Sequence, residues 1–170
     1  MTTWRYLSFF WLVSFSPSTA EVSRCYTKPC QPGWVQFRDH CYKGSHSTSE
    51  RLTFDQAEAY CQSYVNPNGR GHLASMHDQQ ENDFIVELSL SAGIAPTGWV
   101  WIGLTDREKR GTFKWTDGSP YSYSNWLPGE PTRTAEDFTA VRCNHKGWND
   151  SSGGKKKSTC VRCQPLTSKV

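Results

Sequence analysis

Apolar residues recur along this chain at helical spacing in two stretches and at strand spacing in several others, with polar turns between them. The first apolar run, Tyr6 to Phe15, follows Arg5 and precedes the small residues Ser18-Thr19-Ala20. It is too short to cross a bilayer and has the order of an export signal, which predicts that residues 1–20 are cut off after Ala20. A short N-terminal segment, 21–29, comes next. Val35 to Phe37 and Cys41 to Lys43 are β-rich runs around the polar turn Arg38-Asp39-His40, so a hairpin stapled by Cys30–Cys41 is expected. Thr53-Phe54-Asp55-Gln56 has the form of a capping box, and Phe54, Ala57, Cys61 and Tyr64 recur at helical spacing. Residues 66–71 read as a polar loop. Asp78 with Glu81 repeats the cap, and Phe84, Ile85, Leu88 and Ala92 predict a second helix ending at Gly93. Trp99 to Leu104 is a short, nearly all-apolar run and reads as a buried strand. Thr112 to Trp115 alternates and closes on the Asp117-Gly118 turn. From Ser119 to Pro131 neither period survives, which predicts a long ordered loop of the kind that carries function. Thr139 to Arg142, Gly147-Trp148 and Cys160 to Gln164 supply closing strands.

Composition narrows the class. The chain of 170 residues has 19 basic residues, one of them Arg5 in the leader, against 16 acidic ones, so the exported part carries about +2. That is too little to argue for nucleic acid, and no segment is long and apolar enough to span a membrane. The expected product is secreted and extracellular, one domain with room for a core. Export permits disulfides among Cys25, Cys30, Cys41, Cys61, Cys143, Cys160 and Cys163. Zinc competes poorly, because Cys160-Val161-Arg162-Cys163 is the only Cys-x-x-Cys unit.

The chemistry concentrates between Trp126 and Asp150. Glu130, Glu136, Asn149 and Asp150 offer carboxylate and amide oxygens, and calcium takes six to eight oxygen ligands. An enzyme is the poorest reading: there is no Gly-x-Ser-x-Gly, no His-Glu-x-x-His and no phosphate loop. His40, His46, His72, His77 and His145 are scattered beside turns. Trp101, Trp115, Trp126 and Trp148 are most simply packing residues.

The order of a cysteine hairpin, two capped helices, Trp101-Ile102-Gly103-Leu104, Glu130-Pro131, Trp148-Asn149-Asp150 and a final cysteine resembles the C-type lectin domain. The resemblance runs from Cys30 to Gln164, leaving 165–170 as a tail, and is similar to the long form found in secreted, single-domain invertebrate lectins. It implies an α+β fold with two short helices, small antiparallel sheets, disulfide staples and a long loop carrying a calcium site. It implies calcium as cofactor, Glu130, Glu136, Asn149 and Asp150 as metal ligands and, with Thr132, as sugar contacts, and a cis Glu130-Pro131 bond. It pairs Cys61 with Cys163 and leaves Cys143 to Cys160, with Cys25 unpaired or joining two chains in a homodimer.

The chain departs from the family pattern at identifiable places. Thr132 stands where an asparagine is usual, and the step from Glu130 to Glu136 is short. Asp106 and Asp137 match a second calcium site, but Arg110 and Arg133 bring positive charge there. Phe138 replaces a cysteine. The triplet Glu130-Pro131-Thr132 lacks the Gln-Pro-Asp pattern and aromatic platform of galactose binders, so mannose-type glycans are the expected partners. Asn149-Asp150-Ser151 is also a glycosylation sequon, and a glycan there would exclude calcium. Lys155 to Lys157 reads as a solvated run or as a contact for anionic polysaccharide. The competing reading is a calcium-independent lectin-like module that binds protein, mineral or anionic polysaccharide.

Overall fold

Strands β1 (Val35–Phe37) and β2 (His40–Gly44) pair with Phe37 opposite His40, so the connecting turn is only Arg38 and Asp39. This is a computed structural model, and it describes residues 30–44, 51–66, 69–132 and 135–163, without the side chains of 160, 161 and 163. The leader, Cys25 with the rest of 21–29, His46, Arg133 and the 165–170 tail therefore lie outside the described residues. Arg38 adopts a left-handed φ of 53° to close the turn. Its guanidinium reaches Asp78 at 2.6 Å and Gln80 at 3.0 Å, fastening the hairpin to the second helix. The Cys30–Cys41 disulfide is present and ties the segment entering the hairpin to β2.

Helix α1 (Phe54–Gln62) starts at the expected capping box. Thr53 Oγ1 accepts from Gln56 N, and the Gln56 side chain accepts from Thr53 N. Phe54, Ala57 and Cys61 are its buried residues. Helix α2 (Gln79–Ser91) is capped by Asp78, which accepts from Glu81 N at 2.9 Å. The Glu81 carboxylate accepts instead from His77 N at 2.7 Å, one residue before the cap. Its buried residues include Ile85 and Val86, while Phe84 and Leu88 turn partly outward, and Phe84 stacks on Phe37 of the hairpin. The apolar face is thus wider than the sequence stripe, because α2 packs on both the sheet and the hairpin. Residues 66–71 are less irregular than expected: β3 (Val65–Asn66) and β4 (Gly69–Arg70) form a small two-stranded sheet.

The main sheet runs β1-β2-β10-β6-β8-β9, with β5 (His72–Leu73) beside β10 (Ser158–Cys163) and β7 (Lys114–Trp115) beside β6 (Trp99–Thr105). Strands β8 (Phe138–Arg142) and β9 (Trp148–Ser151) form its far edge. The pairing of β2 with β10 brings the two ends of the described chain together. Residues 100–104 of β6 are all buried, as expected of an apolar central strand. Gly103 is required there, since a Cβ would sit 2.8 Å from the Leu73 carbonyl oxygen and 2.7 Å from Thr116 Oγ1. The strand expected at Thr112 to Trp115 shortens to its last two residues.

The Cys143–Cys160 bridge is corrected by topology. Cys143 follows β8 and donates its N–H to Gly98 O, whereas Cys160 lies on β10 beyond Thr159, the partner of Trp101. Strand β6 stands between β8 and β10, and two strand spacings, roughly 10 Å, exceed the roughly 7 Å that a disulfide can span. Cys143 is instead a core thiol pushed up in pKa by burial. Cys61 is fully buried on α1, which packs against β10, the strand carrying Cys163. Where the family likeness would place a cysteine, Phe138 packs its ring on Phe54, under the Arg107 guanidinium and against Gly153. Among the described residues no helix is long and apolar enough to cross a membrane.

Candidate functional site

The long loop before β8 has no regular hydrogen-bond ladder, so its course depends on local turns and aromatic packing. Leu127-Pro128-Gly129-Glu130 is a turn closed by Glu130 N donating to Leu127 O at 2.9 Å. Proline in second place and Gly129 at φ 86° in third are the signature of a type II turn. Trp148 anchors the loop to β9: its N donates to Asn125 O, its carbonyl accepts from Leu127 N, and its ring packs edge-on against Trp115, Tyr123 and Trp126. The indole N–H of Trp148 is satisfied by Asn82 Oδ1 at 2.7 Å, a bond from β9 to α2. The four tryptophans are packing residues, as read.

This anchoring places Glu130 beside the strand that carries Asn149 and Asp150. The Glu130-Pro131 bond is cis. Thr132 Oγ1 lies 3.3 and 3.2 Å from the two Asp150 carboxylate oxygens and 3.4 Å from Glu136 Oε2. The sequence-predicted residues Glu130, Thr132, Glu136 and Asp150 therefore meet at one place. Asn149 adjoins them on β9, and its amide nitrogen donates to the Asp150 backbone carbonyl. Asp150 is buried at 1% exposure.

Glu130 bears the electrostatic cost of that arrangement. Its Oε2 is enclosed and has no hydrogen-bond partner among the described residues. Burial, then the hydrogen bond and negative charge of Asp150, then the charge of Glu136, push its pKa up to about 7. Lys155 Nζ approaches Glu136 at 3.4 Å from an exposed position. The three carboxylates do not by themselves converge as a metal cluster among the described residues. A hard cation there would also need the amide oxygen of Asn149 and the hydroxyl of Thr132.

The second acidic cluster is closed. Arg110 lies 2.6 Å from Asp137 and 3.9 Å from Asp106, and Asp106 also accepts from Gly111 N at 2.7 Å. A guanidinium thus stands where a cation would be needed.

One surface reading is corrected. Lys157 is buried at 8% exposure, with Nζ 4.3 Å from the Trp101 ring centre and 2.9 Å from Ser151 Oγ. Burial lowers its pKa to about 8, so only Lys155 and Lys156 form a solvated pair. The sequon lies in β9, paired with β8, and its Ser151 is buried against Lys157.

The lectin C-type domain family matches residues 50–164. The chain belongs to this family. The alpha-N-acetylgalactosamine-specific lectin of Patiria pectinifera is 34% identical over 155 residues, covering 88% of this chain and 90% of its own. The crystal structure of C-type lectin CEL-I from Cucumaria echinata shares 30% identity at a TM-score of 0.71, covering 82% of this chain and 99% of that one. A calcium-independent type II antifreeze protein shares the fold at 28% identity and a TM-score of 0.68, covering 81% of this chain and 96% of that one. The module is a carbohydrate-binding C-type lectin domain, and none of these relatives is named as an enzyme.

Sequence reasoning missed Asn82, which satisfies Trp148, and Lys157, which spans Trp101 and Ser151. It also missed Arg162, which reaches Ser75, His77, Asp117 and His40. Each partner is far away in sequence, and no spacing rule signals such contacts.

Proposed function

We propose that this C-type lectin is a secreted, calcium-dependent glycan-binding protein whose site is Glu130, Thr132, Glu136, Asn149 and Asp150. The carrying observation is Glu130: a half-buried carboxylate with one enclosed oxygen that has no partner among the described residues, beside Asp150, gains most from an added cation. The donor set fits calcium, with three carboxylates, one amide oxygen and one hydroxyl available. When bound, calcium would supply a Lewis-acidic centre for sugar hydroxyls. The protein's own part is to hold acceptors and an amide donor beside those hydroxyls, so that each is satisfied in both senses.

Specificity is set by the groups that touch the sugar rather than by the fold. Glu130 in the loop triplet favours mannose-type ligands, with vicinal hydroxyls as in mannose, fucose and N-acetylglucosamine. Thr132 offers a hydroxyl where the family uses an amide, which weakens each site and makes multivalent presentation important. Export through the leader and dimerisation through Cys25 complete the proposal.

One observation favours a second specificity: the Patiria relative is named for N-acetylgalactosamine. The antifreeze relative, named as calcium-independent, represents the calcium-free alternative. A glycan array probed in calcium and in EDTA separates all three. Mannose-type signals lost in EDTA are expected. Signals confined to N-acetylgalactosamine would overturn the sugar assignment, and signals unchanged by EDTA would overturn the metal.

A further inference from the structure

A second cavity, about 380 Å³ in volume, lies between β2, β4, β5, the turn after β7 and β10, and shares no residue with the Glu130 site. Its wall contains Arg162, whose side chain is only 9% exposed. The Arg162 guanidinium contacts Ser75 Oγ, His77 Nε2 at 3.1 Å, Asp117 Oδ2 at 3.4 Å and His40 Nε2 at 2.9 Å. A buried arginine needs such a shell, because an uncompensated charge away from water is costly.

The shell consumes the acceptors and leaves donors. Asp117 Oδ1 accepts from Ser119 N and Oγ, and Oδ2 accepts from Ser75 Oγ and Arg162, so its lone pairs are engaged. His40 Nδ1 pairs with Asp39 at 2.8 Å while the ring accepts from Arg162. Burial, then the Arg162 charge, keep the His40 pKa low and the ring neutral. On the donor side, Arg162 Nε has no partner among the described residues. His72 lines the cavity and donates through Nδ1 to Glu58 at 2.7 Å, a bond that favours the protonated ring, in which Nε2–H is a second donor. Arg70 lines the mouth from β4 and is exposed. A cavity whose carboxylate is engaged, with an exposed guanidinium at its rim, a buried one in its wall and an imidazole that donates from both nitrogens when protonated, suits a ligand that only accepts.

We propose that this cavity binds a tetrahedral oxyanion, a sulfate or phosphate monoester or the free ion, held by Arg70 and His72 against the positive base formed by Arg162. The lectin would then carry two recognition sites of opposite demand, one for a cation with sugar hydroxyls and one for an anionic substituent.

The test is a titration of the full chain with sodium sulfate at constant ionic strength balanced by chloride, in EDTA, read as melting temperature. A saturable rise is expected. Arg70→Ala and His72→Gln should each weaken the response at least tenfold, and Arg70→Lys should retain part of it. Glu130→Gln should leave it unchanged, which separates this site from the calcium reading. A 6-sulfated hexose that binds more tightly than inorganic sulfate assigns the cavity to glycan esters, and equal binding assigns it to the free anion. A response that is linear in sulfate, or identical in Arg70→Ala, overturns the proposal.

Discussion

Two acidic clusters flank β8, and they are neutralised in different ways. Asp106 and Asp137 have Arg110 between them, a cation built into the chain. Glu130 has the buried Asp150 beside it, an orphaned oxygen, and a proton held up to about pH 7. A guanidinium makes a carboxylate pair a permanent part of the structure. A half-buried carboxylate beside another carboxylate instead responds to what the solution offers, a proton at low pH or a metal at neutral pH.

The largest effect that sharpens this contrast is on binding. Asp150→Ala should reduce calcium-dependent retention on mannose resin at least about tenfold, equivalent to ~1.4 kcal/mol, while Arg110→Gln leaves retention within twofold of wild type. Equal losses in both variants would erase the distinction between the clusters.

The next effect tests the support they share. A Cβ on Gly153 would lie 2.4 Å from the Phe138 ring, and Phe138 adjoins Asp137 while Gly153 follows the Asp150 strand. Gly153→Ala should cost about 1–3 kcal/mol by overpacking, measured by denaturant unfolding. A neutral result would show that the ring is not confined there.

Removing the built-in cation comes third. Arg110 is 44% exposed, so Arg110→Ala should destabilise by only about 1 kcal/mol after allowance for solvent screening. Millimolar calcium should restore part of that loss, because Asp106 and Asp137 would then face each other without a counter-charge. Failure of calcium to restore any stability would mean that the closed cluster is not a latent cation site.

The last test is the pH trend of the open cluster. A folded pKa near 7 against an ordinary 4.5 means that the folded state holds the Glu130 proton more tightly than the unfolded one. In EDTA, stability should therefore fall as pH rises from about 4.5 to about 7 and level off above. Glu130→Gln should flatten the trend, and calcium should offset the loss at pH 7 and above. A flat profile for wild type in EDTA would contradict the assignment.

Much of this was legible in the residues. The capping box at Thr53, the N-cap at Asp78, the apolar run at Trp99 to Leu104 and the Cys30–Cys41 staple are local signals, each carried by residues close in sequence. The loop triplet and Trp148-Asn149-Asp150 were legible as candidate ligands because their residue types match the chemistry. What was not legible depends on the third dimension. Cys143 and Cys160 look pairable on paper, and only the position of β6 separates them. Lys157 looks solvated within a lysine run, but its bridge to Leu52 holds it against the Trp101 ring. Asn82 and Arg162 make their contacts across separations that no period encodes.

The central claim is that the Glu130 site takes calcium in order to hold sugar, and calorimetric titration of calcium into the full chain at pH 7.5 or above tests it most directly. Wild type should give saturable heat with a Kd on the order of 10⁻⁴ to 10⁻³ M, tightened by mannose through linkage and weakened at least about tenfold in Glu130→Gln. No saturable heat, or the same isotherm in Glu130→Gln, would contradict it.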